Sequence, residues 1–340
     1  MNRGRVAVMV LAGLAALAAA LVLACMVGAQ PVSFARAIAG QDPDRTILFG
    51  LRLPRALVGA LVGCALAAAG TALQALLRNP LAEPFVLGVS GGAALGGTLV
   101  LVATGAASHL LGFSSTALGL APSVATGAVV GAAGATLLVF ALGRESGRLV
   151  PEAALLVGVV FNFFAAAMIT LAKLLVPPDQ ALRLIYWLTG AISYEGGVTL
   201  VVGVLCVGVS VAALVLLSGR MNLLSLGEEE AASLGLHVGL SRGLVLLAAS
   251  AATGAAVTLA GMVGFVGLIV PHAARRVLGP DHRVLVPAAA LFGAAFLVIS
   301  DAVARVAFLL LGTEPPVGAL TAFIGGPLFL WLMRRSRRPG

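Results

Sequence analysis

The chain has 340 residues, of which 60% are hydrophobic and only 10% charged, and its mean hydropathy of +1.10 excludes a soluble globular protein with any sizeable water-exposed domain. Its formal net charge of +8 does not mark a nucleic-acid binder, because the basic residues sit in short loops between apolar runs instead of gathering on one solvated face. Cys25, Cys64 and Cys206 fall inside apolar runs without metal-ligand spacing, so they read as small buried hydrophobes and no metal site is expected.

A hydrocarbon core about 30 Å thick needs roughly 20 apolar residues per helical crossing. The first such run, 6–29, follows Arg3 and Arg5, and Val22-Leu23-Ala24-Cys25 loosely imitates a lipoprotein cleavage site. The run is much longer than a cleavable apolar region of about 7 to 15 residues, so it is expected to be a retained span. Arg36, Arg45, Arg52 and Arg55 then crowd one loop before the second run, 55–77. Between Arg78 and Gly92 the chain is interrupted by Gly and Pro, and the runs 86–104, 118–142, 152–176 and 198–218 follow. Asn162 lies on the fifth run, with Arg183 and Trp187 just after it.

The longest polar loop spans 221–239. Ser225 and Glu228 form a predicted capping box that starts a short helix, and Gly235 is placed to stop it. Leu223, Leu224, Leu226 and Leu234 give that loop an apolar surface. It reads as a docking helix for a cytoplasmic partner or as an interfacial helix on lipid; the triplet Glu228-Glu229-Glu230 argues against an anionic leaflet.

The segment from Arg242 to His272, interrupted by Gly261, Gly264 and Gly267, is long for one span and short for two. Lys and Arg favour the cytoplasmic side, which puts Arg220 and Arg242 on one flank and Arg275, Arg276 and Arg283 on the other both inside. A full crossing over 242–264 followed by a return helix over 267–277, only about 16 Å long, satisfies this. With the last two runs, 284–311 and 316–333, the fold expected is an all-α polytopic membrane protein of ten transmembrane helices, one domain over 1–340, with both termini cytoplasmic. The two broken segments follow spans running in opposite directions, the pattern of an inverted-repeat transporter. Arg36, Arg45, Arg52 and Arg55 in one outer loop and Lys173, Arg183 and Arg305 near outer ends run against the charge rule, which an acidic partner outside would explain; snorkelling to lipid phosphates is the plainer account. Asp301 and Arg305, four apart, are also placed to neutralise each other.

Nothing matches a G-x-x-x-x-G-K-[ST] phosphate loop, so ATP hydrolysis would belong to another chain. Gly88-Val89-Ser90-Gly91-Gly92 satisfies G-x-S-x-G, which raises an intramembrane serine protease using Ser90 with His272 as the candidate base. An ion-coupled secondary transporter is a further alternative, for which Asp301 and Lys173 are few and near the ends.

From Arg52 the chain reads RLPRALVGALVGCALAAAGTALQALLRNPLAEPFVLGVSGGA, then MNLLSLGEEEAASLGL, GMVGFVGLIVPHAARRVLGPDHRVLVPAAALFGA, SDAVARV and EPPVGALTAFIGGPLFLWL. In this order these motifs resemble the permeases of the type II ABC importers for iron-siderophores, haem and cobalamin, over nearly the whole chain. The resemblance implies a homodimer of ten-span subunits in the bacterial cytoplasmic membrane, with two cytoplasmic ATPase subunits that bind ATP-Mg and a periplasmic or surface-anchored binding protein. It implies docking of that protein at Arg52, Arg55 and Arg305 and coupling to the ATPase through Glu228, Glu229, Glu230, Ala231, Ala232, Ser233 and Leu234. It further implies a cytoplasmic constriction at Asn79 and Leu81. The family's second constriction has hydroxyl residues where this chain has Pro151 and Glu152, so it is not carried over. Asn162, Arg183 and Trp187 are candidates for the central path; Arg183 reads equally as an attractor of an anionic chelate and as an interfacial anchor. No cofactor is expected in this chain, and the chelate itself is left open.

Overall fold

The computed structural model describes residues 3–28, 30–111, 124–145, 148–192 and 197–336. Helix α1 (Arg3–Met26) is followed by a short α2 (Phe34–Ile38) and a π-helical turn (Thr46–Arg52) that runs into α3 (Leu53–Leu76). After a 3-10 turn at Pro84–Leu87 come α4 (Val89–Leu111) and α5 (Val124–Leu142). The start of the fourth predicted span, 118–123, lies outside the described residues. A two-residue antiparallel ribbon pairs Arg144–Glu145 with Arg148–Leu149, a small departure from the all-helical expectation. The rest is helical: α6 (Pro151–Lys173), α7 (Pro178–Leu188), α8 (Gly197–Leu224), α9 (Glu228–Ser233), α10 (Val238–Ala260), α11 (Val266–Leu278), α12 (His282–Leu311) and α13 (Val317–Ser336).

Among the described residues, seven helices are long and apolar enough to cross a membrane: α1, α3 with its preceding turn, α5, α6, α8, α10 and α12. The apolar parts of α4 and α13 are shorter, and α11 has only 13 residues. Each of the ten predicted runs meets a helix, but length and composition alone support a many-span protein, coarser than ten crossings.

Position in the bundle follows side-chain size more than hydropathy. α1 and α3 both carry a long apolar stretch, yet 22% of the α1 window is buried against 78% for α3. The reason is the run of Ala and Gly in α3, which lets α12, α10, α8 and α11 approach its backbone. At Gly70 an added Cβ would stand 1.9 Å from the Gly267 carbonyl oxygen, so α3 and α11 touch backbone to backbone. α4 and α5 interlock likewise through Gly92, Gly96, Gly127 and Gly131, a reciprocal pair of small-x-x-x-small stripes.

The two predicted interruptions are real breaks. Between α3 and α4 the chain turns through Arg78, at φ 47°, and Gly88, at φ 77°. Between α10 and α11 it turns at Gly261, at φ 67°, and at Phe265, which takes φ 68° despite its side chain. A non-glycine residue in that left-handed region costs about 1–2 kcal/mol. Gly325 of α13 admits the Phe265 ring, since a Cβ there would lie 2.6 Å from the ring Cγ.

Candidate functional site

The three arginines expected on the outer face do come together, around the end of α1, the start of α3 and the last third of α12. Arg52 is 6% exposed and its guanidinium donates to the backbone oxygens of Cys25 (2.9 Å), Met26 (3.2 Å) and Gln30. It thereby satisfies carbonyls that the end of α1 leaves open. Arg305 donates to the Val27 oxygen at 3.0 Å and lies 3.3 Å from Asp301. Asp301 is 1% exposed, and its closer partner is Arg55, whose Nη2 stands 2.7 Å from Oδ1 and whose Nε is 3.1 Å from both oxygens. Arg55 also bonds Glu314, in the turn between α12 and α13. The Asp301–Arg305 pairing expected from spacing thus exists, and Arg55 shares the same acid. Three cations face two anions, and Arg55 is the most open of the three. Sequence reasoning missed Glu314; its only signal was an acid directly before Pro315-Pro316. Of the other arginines in that loop, Arg36 is held by Asp44 at 2.6 Å.

At the opposite, arginine-rich flank of the helices, α8 continues to Leu224, and α9 is set between Gly227, at φ 141°, and Gly235, at φ 84°. The predicted capping box does not form. Gly227 is the N-cap, the Ser225 hydroxyl donates to the Asn222 oxygen at 2.7 Å, and Glu228 turns instead to Arg242, at 2.7 Å. That pair wins because Arg242 is buried in the first turns of α10 and needs an anion, as a lone buried charge would be costly. Arg242 also donates to the Leu149 oxygen at 3.1 Å, so one guanidinium joins α9, α10 and the ribbon before α6. Glu229, Glu230, Ala232, Ser233 and Leu234 are exposed, whereas Ala231 faces inward with no exposure. A cleft of about 880 Å³ opens beside them, lined in part by Arg78, Leu149, Glu228, His237 and Arg242.

Asn222, just before this segment, reaches the loop after α11. Its amide donates to Asp281 Oδ1 at 2.7 Å, and its oxygen accepts the His282 N–H at 2.8 Å. Burial pushes the Asp281 carboxyl up, but bonds from the Asn222 amide and the Arg283 N–H, with the Arg283 charge, outweigh it and hold the group below the usual carboxylate range.

Asn79 folds its side chain back onto its own turn, Oδ1 accepting the Leu81 N–H at 2.9 Å, which leaves Leu81 40% exposed. Asn162 does not point into open space: its amide donates to the Phe85 oxygen at 2.7 Å. Trp187 packs beside Gly97, where a Cβ would stand 2.9 Å from the indole. Arg183 lies on α7, but its side chain is outside the described residues, as are Arg337 and Arg338. Ser90 is fully buried and its hydroxyl has no hydrogen-bond partner among the described residues, so none of the described histidines, His272 included, is bonded to it as a base.

The FecCD transport family model matches residues 16–335. The chain is 40% identical over 294 residues to the cobalamin import system permease protein BtuC of Halobacterium salinarum, covering 86% of this chain and 74% of that one. It is 38% identical over 292 residues to the hemin transport system permease protein HmuU of Yersinia pestis, covering 86% and 84%. A solved metal-chelate type ABC transporter in an inward-facing conformation superposes with a TM-score of 0.82 at 30% identity, over 96% of this chain and 98% of the other. With a buried arginine cluster on one side, a short acidic helix on the other and two broken helices between them, the chain belongs to the FecCD transport family and is a permease subunit, not an enzyme, of the ABC importers for metal chelates.

Proposed function

We propose that the chain pairs with a second copy, each crossing the bacterial cytoplasmic membrane ten times with both termini inside, and passes a chelate along the axis between them. Two ATPase subunits, binding ATP-Mg, dock on the exposed side of α9 through Glu229, Glu230, Ala232, Ser233 and Leu234. Glu228 and Ala231 hold α9 to its own chain. A binding protein docks outside with its carboxylates towards Arg55, while Arg52 and Arg305 brace the ends of α1 and α12 around it. Asn79 and Leu81 narrow the cytoplasmic end, and Asn162, Arg183 and Trp187 lie along the path.

The observation that carries this reading is the placement of the two charged faces, one surplus in arginine and one presenting acids on a short helix, at opposite ends of the same apolar bundle. Cargo is a member of the class ferric siderophore, haem or cobalamin. Proteoliposomes containing the permease, its ATPase and its binding protein are expected to accumulate one of these three only with ATP inside the ATPase compartment. Uptake that follows an ion gradient and survives omission of the ATPase would sink the proposal.

A further inference from the structure

The loop 78–88, which carries Asn79 and Leu81, is clasped from two sides. From α6, Asn162 donates to the Phe85 oxygen; towards α11, the Glu83 carboxylate accepts the Phe265 N–H at 2.5 Å. Phe265 is the N-cap residue of α11 and offers no side-chain cap of its own. The N–H of a helix's cap residue is ordinarily accepted by a neighbour in sequence, a Glu or Gln three residues into the helix. Here the acceptor arrives from a residue 182 positions earlier. A local cap would stabilise α11 alone, whereas this one ties it to a second element. The carboxylate also complements the positive end of the helix dipole. The backbone it holds, at φ 68° on a phenylalanine, is one that persists only where the surroundings over-determine it.

Beyond its other end α11 runs directly into a second joint. Gly279 ends the helix, and two residues later Asp281, the N-cap of α12, is bonded to Asn222, six residues before α9. The chain therefore links the α8–α9 segment through Asp281 and the length of α11, about 20 Å, to Phe265, Glu83 and the loop.

We propose that Glu83 is a positioning residue for transport: it makes α11 and the loop 78–88 move as one body, so that displacement of α11 at its Asp281 end is delivered to Asn79 and Leu81. This rests on reading Asn79 and Leu81 as the cytoplasmic gate and the 221–239 segment as the ATPase contact.

The test is the number of ATP molecules hydrolysed per chelate accumulated, measured in proteoliposomes of the full complex with whichever of cyanocobalamin, haemin or a ferric siderophore the wild type takes up. Glu83→Ala removes the acceptor, and Glu83→Asp keeps the charge but draws the oxygens back by about 1.5 Å. Both are expected to raise the ratio about threefold or more with the complex still assembled. Glu83→Gln, which keeps an oxygen at the same reach, is expected to stay within about twofold of wild type. A merely structural role would lower uptake and hydrolysis together and leave the ratio alone, and that result overturns the proposal. So does a rise in Glu83→Gln equal to that in Glu83→Asp. Should Glu83→Ala fail to assemble, the Asp variant decides. Asn79→Ala combined with Leu81→Ala separates the underlying reading: an unchanged ratio there refutes the gate, while a changed ratio there with unchanged Glu83 variants refutes only the coupling.

Discussion

One guanidinium, that of Arg55, answers to two acids of unlike burial, Asp301 at 2% and Glu314 at 37% side-chain exposure. The buried acid fixes it, and the open one is replaceable by a partner. Breaking a desolvated charge pair costs about 2–5 kcal/mol, so Arg55→Glu is expected to weaken binding-protein capture by roughly 30-fold or more. Glu314→Gln is the control, expected to leave assembly intact and capture at least as tight as wild type. Capture by Arg55→Glu at wild-type affinity in a surface-binding assay would remove the docking role. The charge rule marked these arginines among its exceptions, the family resemblance singled out the three, and spacing alone marked the Asp301–Arg305 pair. Spacing did not reveal Glu314, because that contact is closed by residues 259 positions apart and nothing local marks it. Nor did it anticipate that Arg242 would draw Glu228 out of a capping box, since burial of Arg242 is a property of the packed bundle.

At the scale of elements, the breaks were the most legible feature. Glycine and proline punctuate the chain at both of them, and the left-handed turns fall where the glycines predicted, apart from Arg78 and Phe265. Contacts between helices were less legible, because a helix that is apolar all round does not announce which side is covered. Small residues carry that information instead. Gly70→Leu would drive a side chain into the Gly267 carbonyl and is expected to destabilise the permease by more than the 1–3 kcal/mol usual for overpacking. Gly134→Ala, with nothing within 4 Å, is expected to be neutral or slightly stabilising. Thermal melts in detergent compare the two. The Asn222–Asp281 joint between α8 and α12 has a pH signature. A depressed carboxyl contributes stability that is complete above its unfolded pKa, about 3.9, and is lost as pH falls through the lower folded value. Wild type is therefore expected to lose thermal stability below about pH 4 more steeply than Asp281→Asn, and parallel acid limbs would count against the joint.

For the whole molecule, composition identified a many-span protein and loop charges proposed its count, while the motifs in chain order placed it with the chelate permeases. What composition could not supply was the rank of the helices. α1 is as greasy as α3 and lies at the rim, whereas α3 runs through the middle. In water, hydropathy sorts inside from outside; in lipid both are apolar, and close approach of backbones sorts them instead.

The glycine contact between α3 and α11 therefore carries a consequence for how such a chain diversifies. In a water-soluble fold the positions that resist exchange are the large interior side chains. Here the ones that resist are the smallest, at Gly63, Gly70, Gly96 and Gly131, where even one methyl meets a backbone oxygen. Saturation mutagenesis scored by survival under nutrient limitation would draw the inverse of the familiar map, permissive at leucines facing lipid and unforgiving at residues with no side chain at all.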